Sequence, residues 1–360
     1  MPAYPHFNGY NYVLIVLETI NRISMILNRF FLKLALSIST ALGLMAILAK
    51  DVPGATLPSE LVMDYATYNP LSMVIRKFGW IEREFKADNV QIRWVRSPSS
   101  MLAMNHLNSD SLSIASSGIV TAALSKAGGN RVKAVYVFAR SELNAILVSR
   151  DSPITSAMEL KGKRIAAPLG TPAHFSLLQT LREIGLHHDD IVIIPLEHKE
   201  GRIALERNEV DAWSTTQPYG TLSQLENGSR VLYRNSRFNT YFSLIVKEEI
   251  ARKYPDVVTR VIKVYERARQ WANRNPDEIE KIYADEEQVS LQVARLILSK
   301  FDFFNPVIDR NDIAMLRNAT DMLKEERLVS PDTNLNNLAN NLVDRSFVSK
   351  ALRETERRNR

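Results

Sequence analysis

The chain has 360 residues, of which 45% are hydrophobic and 24% are charged, a composition typical of a folded soluble protein and unlike that of a disordered chain or a membrane protein with many spans. Its net charge of +6 is spread along the sequence, which gives little support for nucleic-acid binding. The chain has no cysteine, so disulfides, thiolate metal sites and a cysteine nucleophile are excluded.

The N-terminus has the order of an export signal. An uncharged, largely apolar segment at residues 34–49 follows Arg29 and Lys33. We predict that residues 1–49 are a signal peptide and that the mature protein is periplasmic. Met25 opens a shorter and more conventional signal, which makes it a candidate start of translation. The alternative is an uncleaved segment that anchors the protein in the membrane.

From Leu57 onward, short apolar runs alternate with longer amphipathic stretches, a pattern typical of an α/β fold with mainly parallel sheets. The predicted strands are residues 61–65, 90–95, 111–115, 132–138, 145–149, 164–167, 191–195, 210–214, 231–233 and 241–246. After Lys247 the pattern is helical, with predicted helices at 257–273, 276–283, 291–299, 312–326 and 335–343. Residues 344–360 are predicted to be a basic tail, a frayed and solvated helix end.

Motifs for catalysis are absent from the sequence. There is no glycine-rich nucleotide loop, no nucleophile elbow and no zinc-protease motif. The densest ionisable cluster, residues 187–190, follows Gly185 in a connection where polar residues are common, so we interpret it as a solvated loop and not as a metal site. We therefore expect a protein without metal or cofactor, and not an enzyme.

At four junctions a predicted strand runs into small polar residues that can cap the next helix. The junctions contain Asn69 and Pro70, Ser116 and Ser117, Gly170 and Thr171, and Trp213 followed by Gln217. Because the carboxyl ends of parallel strands share one edge of a sheet, these helix N-termini would meet at a common crevice. Lysine and arginine are scarce there, which favours a small, singly charged oxyanion held by hydroxyl groups and helix dipoles. The alternative at each junction is a cap that serves stability alone, and Trp213 is equally compatible with a core position.

The sequence resembles the periplasmic substrate-binding proteins of ABC importers, in the aliphatic-sulfonate, taurine and nitrate group. The likeness covers residues 61–285, and its most specific parts are Asp151-Ser-Pro-Ile through Lys-Gly-Lys-Arg164, the Gly-Thr-Pro-Ala-His element at 170–174 and Val-Asp-Ala-Trp at 210–213. The resemblance implies a two-lobed, type II periplasmic-binding-protein fold with a helical C-terminal extension. Such a protein closes over its ligand and performs no chemistry of its own.

We expect the chain to cross between the lobes near residues 145–150 and again near 236–243. Lobe 1 is then residues 57–147 together with 240–343, and lobe 2 is residues 148–239. The helical C-terminal third is expected to pack on lobe 1 and to contribute little to the ligand.

The junctions and the resemblance together imply one set of ligand-binding residues: Tyr68, Asn69, Pro70, Ser116, Ser117, Gly170, Thr171, Ala173, His174, Trp213 and Gln217. Thr171 is expected to cap its helix and also to donate to the ligand. The expected partners are a small anionic solute, with an alkanesulfonate favoured, and a membrane permease, served by a monomer.

Several alternatives remain open. Taurine, nitrate, bicarbonate or a pyrimidine would suit the same family of binding proteins. Enzymes of thiamin-pyrimidine biosynthesis share the implied fold, although their cysteine-rich motif has no counterpart here. Effector domains of LysR-type regulators also share it, but an exported chain cannot act as a cytoplasmic regulator.

Overall fold

The computed structural model describes residues 57–358, apart from residues 142, 236, 237, 239 and 240. The predicted signal peptide and part of the second predicted crossover lie outside the described residues. Within the described ranges, no helix combines the length and the apolar character that crossing a membrane requires.

The strands, in chain order, are β1 Glu60–Tyr65, β2 Gln91–Arg96, β3 Ile114–Gly118, β4 Val132–Ser141, β5 Ala145–Val148, β6 Arg164–Ala167, β7 Val192–Pro195, β8 Ala212–Thr215, β9 Arg230–Tyr233, β10 Tyr241–Lys247 and β11 Phe301–Asp302. The helices are α1 Pro70–Phe78, α2 Trp80–Phe85, α3 Ser100–Asn108, α4 Ile119–Ala127, α5 Pro172–Glu183, α6 His198–Glu206, α7 Tyr219–Asn227, α8 Glu248–Lys253, α9 Pro255–Arg274, α10 Pro276–Glu287, α11 Leu291–Leu298, α12 Arg310–Glu325, α13 Leu335–Leu342 and α14 Ser346–Arg358.

The strands form two sheets, of order β11-β4-β10-β3-β1-β2 and β7-β6-β8-β5-β9. In the first sheet β1 is parallel to β2 and β3, whereas β10 is antiparallel to β3 and β4. In the second sheet β6 is parallel to β7 and β8, whereas β5 is antiparallel to β8 and β9. The chain therefore passes to the second sheet between β4 and β5 and returns between β9 and β10.

The sheet that β5 joins changes the predicted boundary between the two lobes. The proposed end of lobe 1 at Leu147 falls inside β5, and β5 pairs only with strands of the second sheet. The first crossing therefore lies before Ala145 on this criterion. The continuous apolar run at 145–148 predicts the strand, but not which sheet it joins, because pairing partners are distant in sequence.

Helix α12 packs on both lobes, whereas the C-terminal third was expected to pack on lobe 1. It contacts α4, which follows a strand of the first sheet, and α5, which follows a strand of the second. Leu316 and Leu323 of α12 share an apolar cluster with Phe175 of α5. An ion pair of 3.2 Å between Arg182 and Glu325 lies at the end of this contact. The apolar stripe of α12 is thus wide enough to cover both lobes.

The predicted basic tail is instead a packed helix. Phe347, Val348 and Ala351 of α14 are buried in the same cluster as α9, and Glu354 forms an ion pair with Lys263. Apolar residues one turn apart place one face of α14 on α9, and Lys350 and Glu354 at the edge of that face form ion pairs with Asp256 and Lys263 of α9. The prediction of a frayed, solvated end is therefore wrong.

Candidate functional site

The loops that follow parallel strands in the two sheets meet directly. Ser99, after β2, donates a hydrogen bond of 3.5 Å from Oγ to Oε1 of Glu197, after β7. Gly118, at the end of β3, lies against Pro172, where a Cβ on the glycine would stand 2.5 Å from Cγ of the proline. The two carboxyl edges, where ligands of open α/β sheets bind, therefore face one another.

A second glycine closes the same seam. Gly170 has a φ of +71°, in the left-handed region, and a Cβ there would lie 2.0 Å from Cε of Met101 in α3. The backbone conformation favours glycine at this position, and a larger residue would also push the end of the Met101 side chain aside. The predicted Gly170 element is thus a contact between the lobes.

Asn69 caps α1 as predicted and also links three elements. Its Oδ1 accepts a hydrogen bond of 3.2 Å from the backbone N of Ser72, with Pro70 as the first helical residue. Its Nδ2 donates to Oγ of Ser116 at 2.6 Å and to the hydroxyl of Tyr265, in α9, at 3.2 Å. Both amide protons of Asn69 are therefore used inside the protein. Tyr265 shows that the C-terminal third does reach this site.

Ser116 and Ser117 do not cap a helix, which corrects the interpretation of that junction. Both lie within β3, and the residue that precedes α4 is Gly118, which provides no side-chain cap. Ser116 donates from N and Oγ to Oδ1 of Asp64 at 2.9 and 2.8 Å, and Tyr68 donates to the carbonyl of Ser116 at 3.1 Å. Ser116 finds its buried partner in Asp64, 52 residues away, whereas Oγ of Ser117 donates to the carbonyl of Gly118 at 3.1 Å.

Thr171 caps α5 as predicted, but its donors are occupied. Its Oγ1 accepts a hydrogen bond of 3.5 Å from N of His174 and donates one of 2.7 Å to the carbonyl of Pro168. Nδ1 of His174 accepts a hydrogen bond of 3.1 Å from the backbone N of Gly170. Burial lowers the pKa of His174 to about 4, so the ring is neutral at pH 7. The backbone N–H of Ala173, in the first turn, has no acceptor within the helix.

The last of the four junctions, which contains Trp213 and Gln217, lies in the core of the second sheet. Trp213 is fully buried and packs with Ala166 and Leu205 in the core of the second sheet, which favours a structural role. Gln217 accepts a hydrogen bond of 3.2 Å from N of Thr221 at the start of α7. The predicted residues are therefore all buried near the facing edges, but most of their donors are already satisfied.

Apart from Nε1 of the predicted residue Trp213, sequence reasoning missed the groups that remain unsatisfied. In the described part of the chain, six buried side chains that follow parallel strands have a polar atom without a hydrogen-bond partner. These residues, named here the open donor set, are Thr67 after β1, Ser97 after β2, Thr121 in the first turn of α4, His198 at the start of α6, Thr216 after β8 and Thr221 in the first turn of α7. None is more than 7% exposed.

The open donor set carries no positive charge. Burial lowers the pKa of His198 to about 3, so its ring is neutral at pH 7, and the other five groups are hydroxyls. A buried hydroxyl without a partner is costly, so these groups have unused capacity for a ligand. The sequence signal is a polar residue just after a strand, but which donors stay free depends on partners distant in the chain.

Tyr68 lies where the two halves of the site meet. Burial raises the pKa of its phenol well above the ordinary value, and the charge of Asp64 raises it further. Glu197 and Tyr219, from the second half of the site, add smaller effects in the same direction. Groups on both sides of the seam therefore surround one aromatic side chain.

A family model described as NMT1/THI5 like matches residues 85–279, more than half of the chain. The chain belongs to the NMT1/THI5-like family. One relative is a protein of Bacillus subtilis (strain 168) named "Putative aliphatic sulfonates-binding protein". It is 27% identical to this chain over 286 residues, which are 78% of this chain and 85% of the relative.

Solved structures confirm the predicted fold of this NMT1/THI5-like protein as that of the periplasmic binding proteins. The alkanesulfonate-binding protein SsuA from Xanthomonas axonopodis pv. citri, bound to MOPS, superposes with a TM-score of 0.73 at 22% identity, covering 80% of this chain and 99% of that one. The desulfurization enzyme DSZB has a TM-score of 0.62 at 18% identity, covering 83% and 100%. The same fold thus occurs in binding proteins and in an enzyme.

Proposed function

We propose that this protein is the extracytoplasmic solute-binding component of an ABC importer and that it captures an aliphatic sulfonate. The observation that carries the proposal is the open donor set, a group of buried neutral donors at the facing edges of two sheets. A sulfonate is the anion of a strong acid, remains singly charged at any physiological pH and presents three oxygen acceptors. Hydroxyl and backbone donors hold such a group without a lysine or arginine.

The geometry of the seam supports capture by closure. Contacts such as Ser99 with Glu197 and Gly118 with Pro172 join residues of different sheets, so they form only when the lobes are together. A ligand that adds contacts to both edges stabilises this closed state relative to an open one. A permease that recognises the closed form would then receive the loaded protein.

The relatives support the ligand class. The Bacillus subtilis relative is named for aliphatic sulfonates, and a relative in Escherichia coli (strain K12), 26% identical over 148 residues, is named a taurine-binding periplasmic protein. With the export signal expected at residues 1–49, this supports a periplasmic location.

Binding without catalysis is the simpler function of this site. The chain has no cysteine to act as a nucleophile, and within the described residues no group of three or more acidic, histidine or cysteine side chains is placed to hold a metal. Incubation with a bound sulfonate followed by NMR should return the ligand unchanged. Release of sulfite would contradict the proposal.

A calorimetric panel on the mature chain tests the ligand class. We expect 1-pentanesulfonate to bind more tightly than hexanoate, a carboxylate of similar length, or than 1-pentanol, which lacks the charge. Taurine, nitrate, bicarbonate and a pyrimidine are the competing ligands. Because MOPS, HEPES and related buffers are sulfonates, the titrations use phosphate or Tris. Tighter binding of any competitor, or no binding of the sulfonate, would contradict the proposal.

A further inference from the structure

Asp64 is an ionisable group within the site for which sulfonate binding gives no role. Its side chain is 2% exposed, Oδ1 accepts two hydrogen bonds from Ser116, and Oδ2 has no partner. Oγ of Ser97 lies beside the carboxyl group, close enough for its hydroxyl to lower the pKa of Asp64, but it makes no hydrogen bond of normal geometry. A buried carboxylate normally accepts on both oxygens, so a bare Oδ2 next to a hydroxyl suits a carboxylic acid.

The surroundings of Asp64 contain no compensating charge. The titratable groups that face it are the phenols of Tyr68, after β1, and Tyr265, in α9, and the charge of Asp64 raises the pKa of both. Beyond Tyr68 lies the carboxylate of Glu197. No lysine, arginine or histidine within the described ranges forms an ion pair with Asp64, and burial raises its pKa to about 7.

The protonation state of Asp64 decides what Ser97 can do. When the carboxyl is ionised, the hydroxyl of Ser97 is drawn to Oδ2 as a donor and is lost to the ligand. When Oδ2 carries a proton, it donates to Oγ of Ser97, and the serine keeps its own O–H free. An ionised Asp64 also makes it more costly to bind an anionic ligand, because the two negative charges would both be buried in the same site.

We propose that Asp64 is a positioning residue that must carry a proton for the site to hold its anion, so that above pH 7 about one proton is taken up with each anion bound. The proposal rests on the proposed function, since it concerns the same ligand. It makes anion capture dependent on pH even though the sulfonate itself does not titrate.

Calorimetry on wild type and Asp64→Asn with 1-pentanesulfonate, between pH 5.5 and 8.5, tests the coupling. We expect wild-type affinity to fall about tenfold per pH unit above pH 7, and heats measured in phosphate and in Tris to show proton uptake approaching one. The asparagine amide donates to Ser97 as the acid would, so Asp64→Asn should bind equally well at every pH. His174 and His198 are neutral throughout this range.

A surface control separates Asp64 from general charge effects. Asp110, on the exposed side of an ion pair with Lys247, should keep the wild-type pH slope when changed to asparagine. Equal slopes for wild type and Asp64→Asn would overturn the proposal. So would a preference for taurine over 1-propanesulfonate at pH 8.5 that Asp64→Asn abolishes, because an ionised Asp64 would then be accepting from the ligand ammonium.

A measurement without ligand distinguishes the two proposals. Because the folded pKa is raised, wild-type stability should fall as the pH rises from about 4 to about 7, and Asp64→Asn should lack this part of the fall. If both proteins show the same slope, Asp64 ionises normally and the coupling is overturned. If the sulfonate binds neither protein at pH 5.5, the proposed function is refuted together with the coupling, whereas equal pH-dependent binding to both refutes the coupling alone.

Discussion

Gly118 and Pro172 touch across the seam between the two sheets, at a separation that leaves no room for a side chain on the glycine. A Cβ on Gly118 would lie 2.5 Å from Cγ of Pro172. The φ of Gly118 is −62°, a value that alanine adopts without strain. Glycine is therefore needed here for the approach of the second lobe and not for the backbone conformation.

Gly118→Ala should oppose closure and leave each lobe intact. We expect at least a tenfold loss of sulfonate affinity, equivalent to about 1.4 kcal/mol, in calorimetry. Gly128→Ala is the matched control, because Gly128 lies at the other end of α4, has a φ of −74° and would place its Cβ 3.4 Å from the nearest atom. Normal affinity in Gly118→Ala would show that the lobes do not need this contact to bind.

Thr216 and Thr171 form a matched pair that tests the open donor set. Thr216→Val removes a buried hydroxyl with no partner, so stability should hold or rise while sulfonate affinity falls about tenfold. Thr171→Val removes a hydroxyl that bonds Pro168 and caps α5, so stability should fall by about 1 kcal/mol with a smaller change in affinity. Urea unfolding and calorimetry measure the two effects. If Thr171→Val lost the affinity and Thr216→Val did not, Thr171 would be the ligand-binding residue, as the sequence alone suggested.

His174 should make the protein less stable in acid. Burial lowers its folded pKa to about 4 from the ordinary 6.5, so the unfolded chain binds a proton that the folded chain does not. Stability from the neutral ring is complete above pH 6.5 and is lost as the pH falls toward 4. His174→Asn keeps an acceptor for the N–H of Gly170, and we expect it to lose less stability between pH 7 and pH 4.5 in urea titrations. An unchanged loss would show that other groups cause the acid sensitivity.

Phe347 tests whether α14 is part of the core. Phe347→Ala should lower the free energy of unfolding by about 3 kcal/mol, because the ring is buried against the cluster that includes α9. Arg357→Ala, on the exposed face of the same helix, should have no measurable effect. Equal, small effects in thermal unfolding would restore the interpretation of residues 344–360 as a solvated tail.

Most element bounds could be predicted because periodicity is a local property. The strand at 164–167 and the start of the helix at 276 match the structure, since apolar spacing and capping residues lie within the elements themselves. The strand predicted at 111–115 runs from 114 to 118 in the structure, and its last residues were missed because Ser116 and Ser117 look like loop residues in the sequence. The helix at Ser346–Arg358 was hidden by its many charged residues.

The candidate site could be predicted only in outline. Asn69 and Thr171 were placed correctly as helix caps, because a cap and its helix are adjacent in sequence. Which donors remain free could not be predicted, since Ser116 is satisfied by Asp64 and Asn69 by Tyr265, 196 residues away. Free donors are a property of the finished fold.

The contact of Ser99 with Glu197 has a kinetic consequence that follows from its place in the two sheets. It joins the loops after β2 and β7, which are edge strands at the ends of the sheets farthest from the crossings at β4–β5 and β9–β10. When the two lobes open about their crossings, they separate most at the opposite end, so an incoming solute first passes the loops after β2 and β7, which form the rim of the site. Glu197, Lys199 and Glu200 there have no ion-pair partner in the described part of the chain and together leave one net negative charge at the rim, whose field repels anions. Association of a sulfonate should therefore speed up as salt screens the rim, even though the protein as a whole is basic.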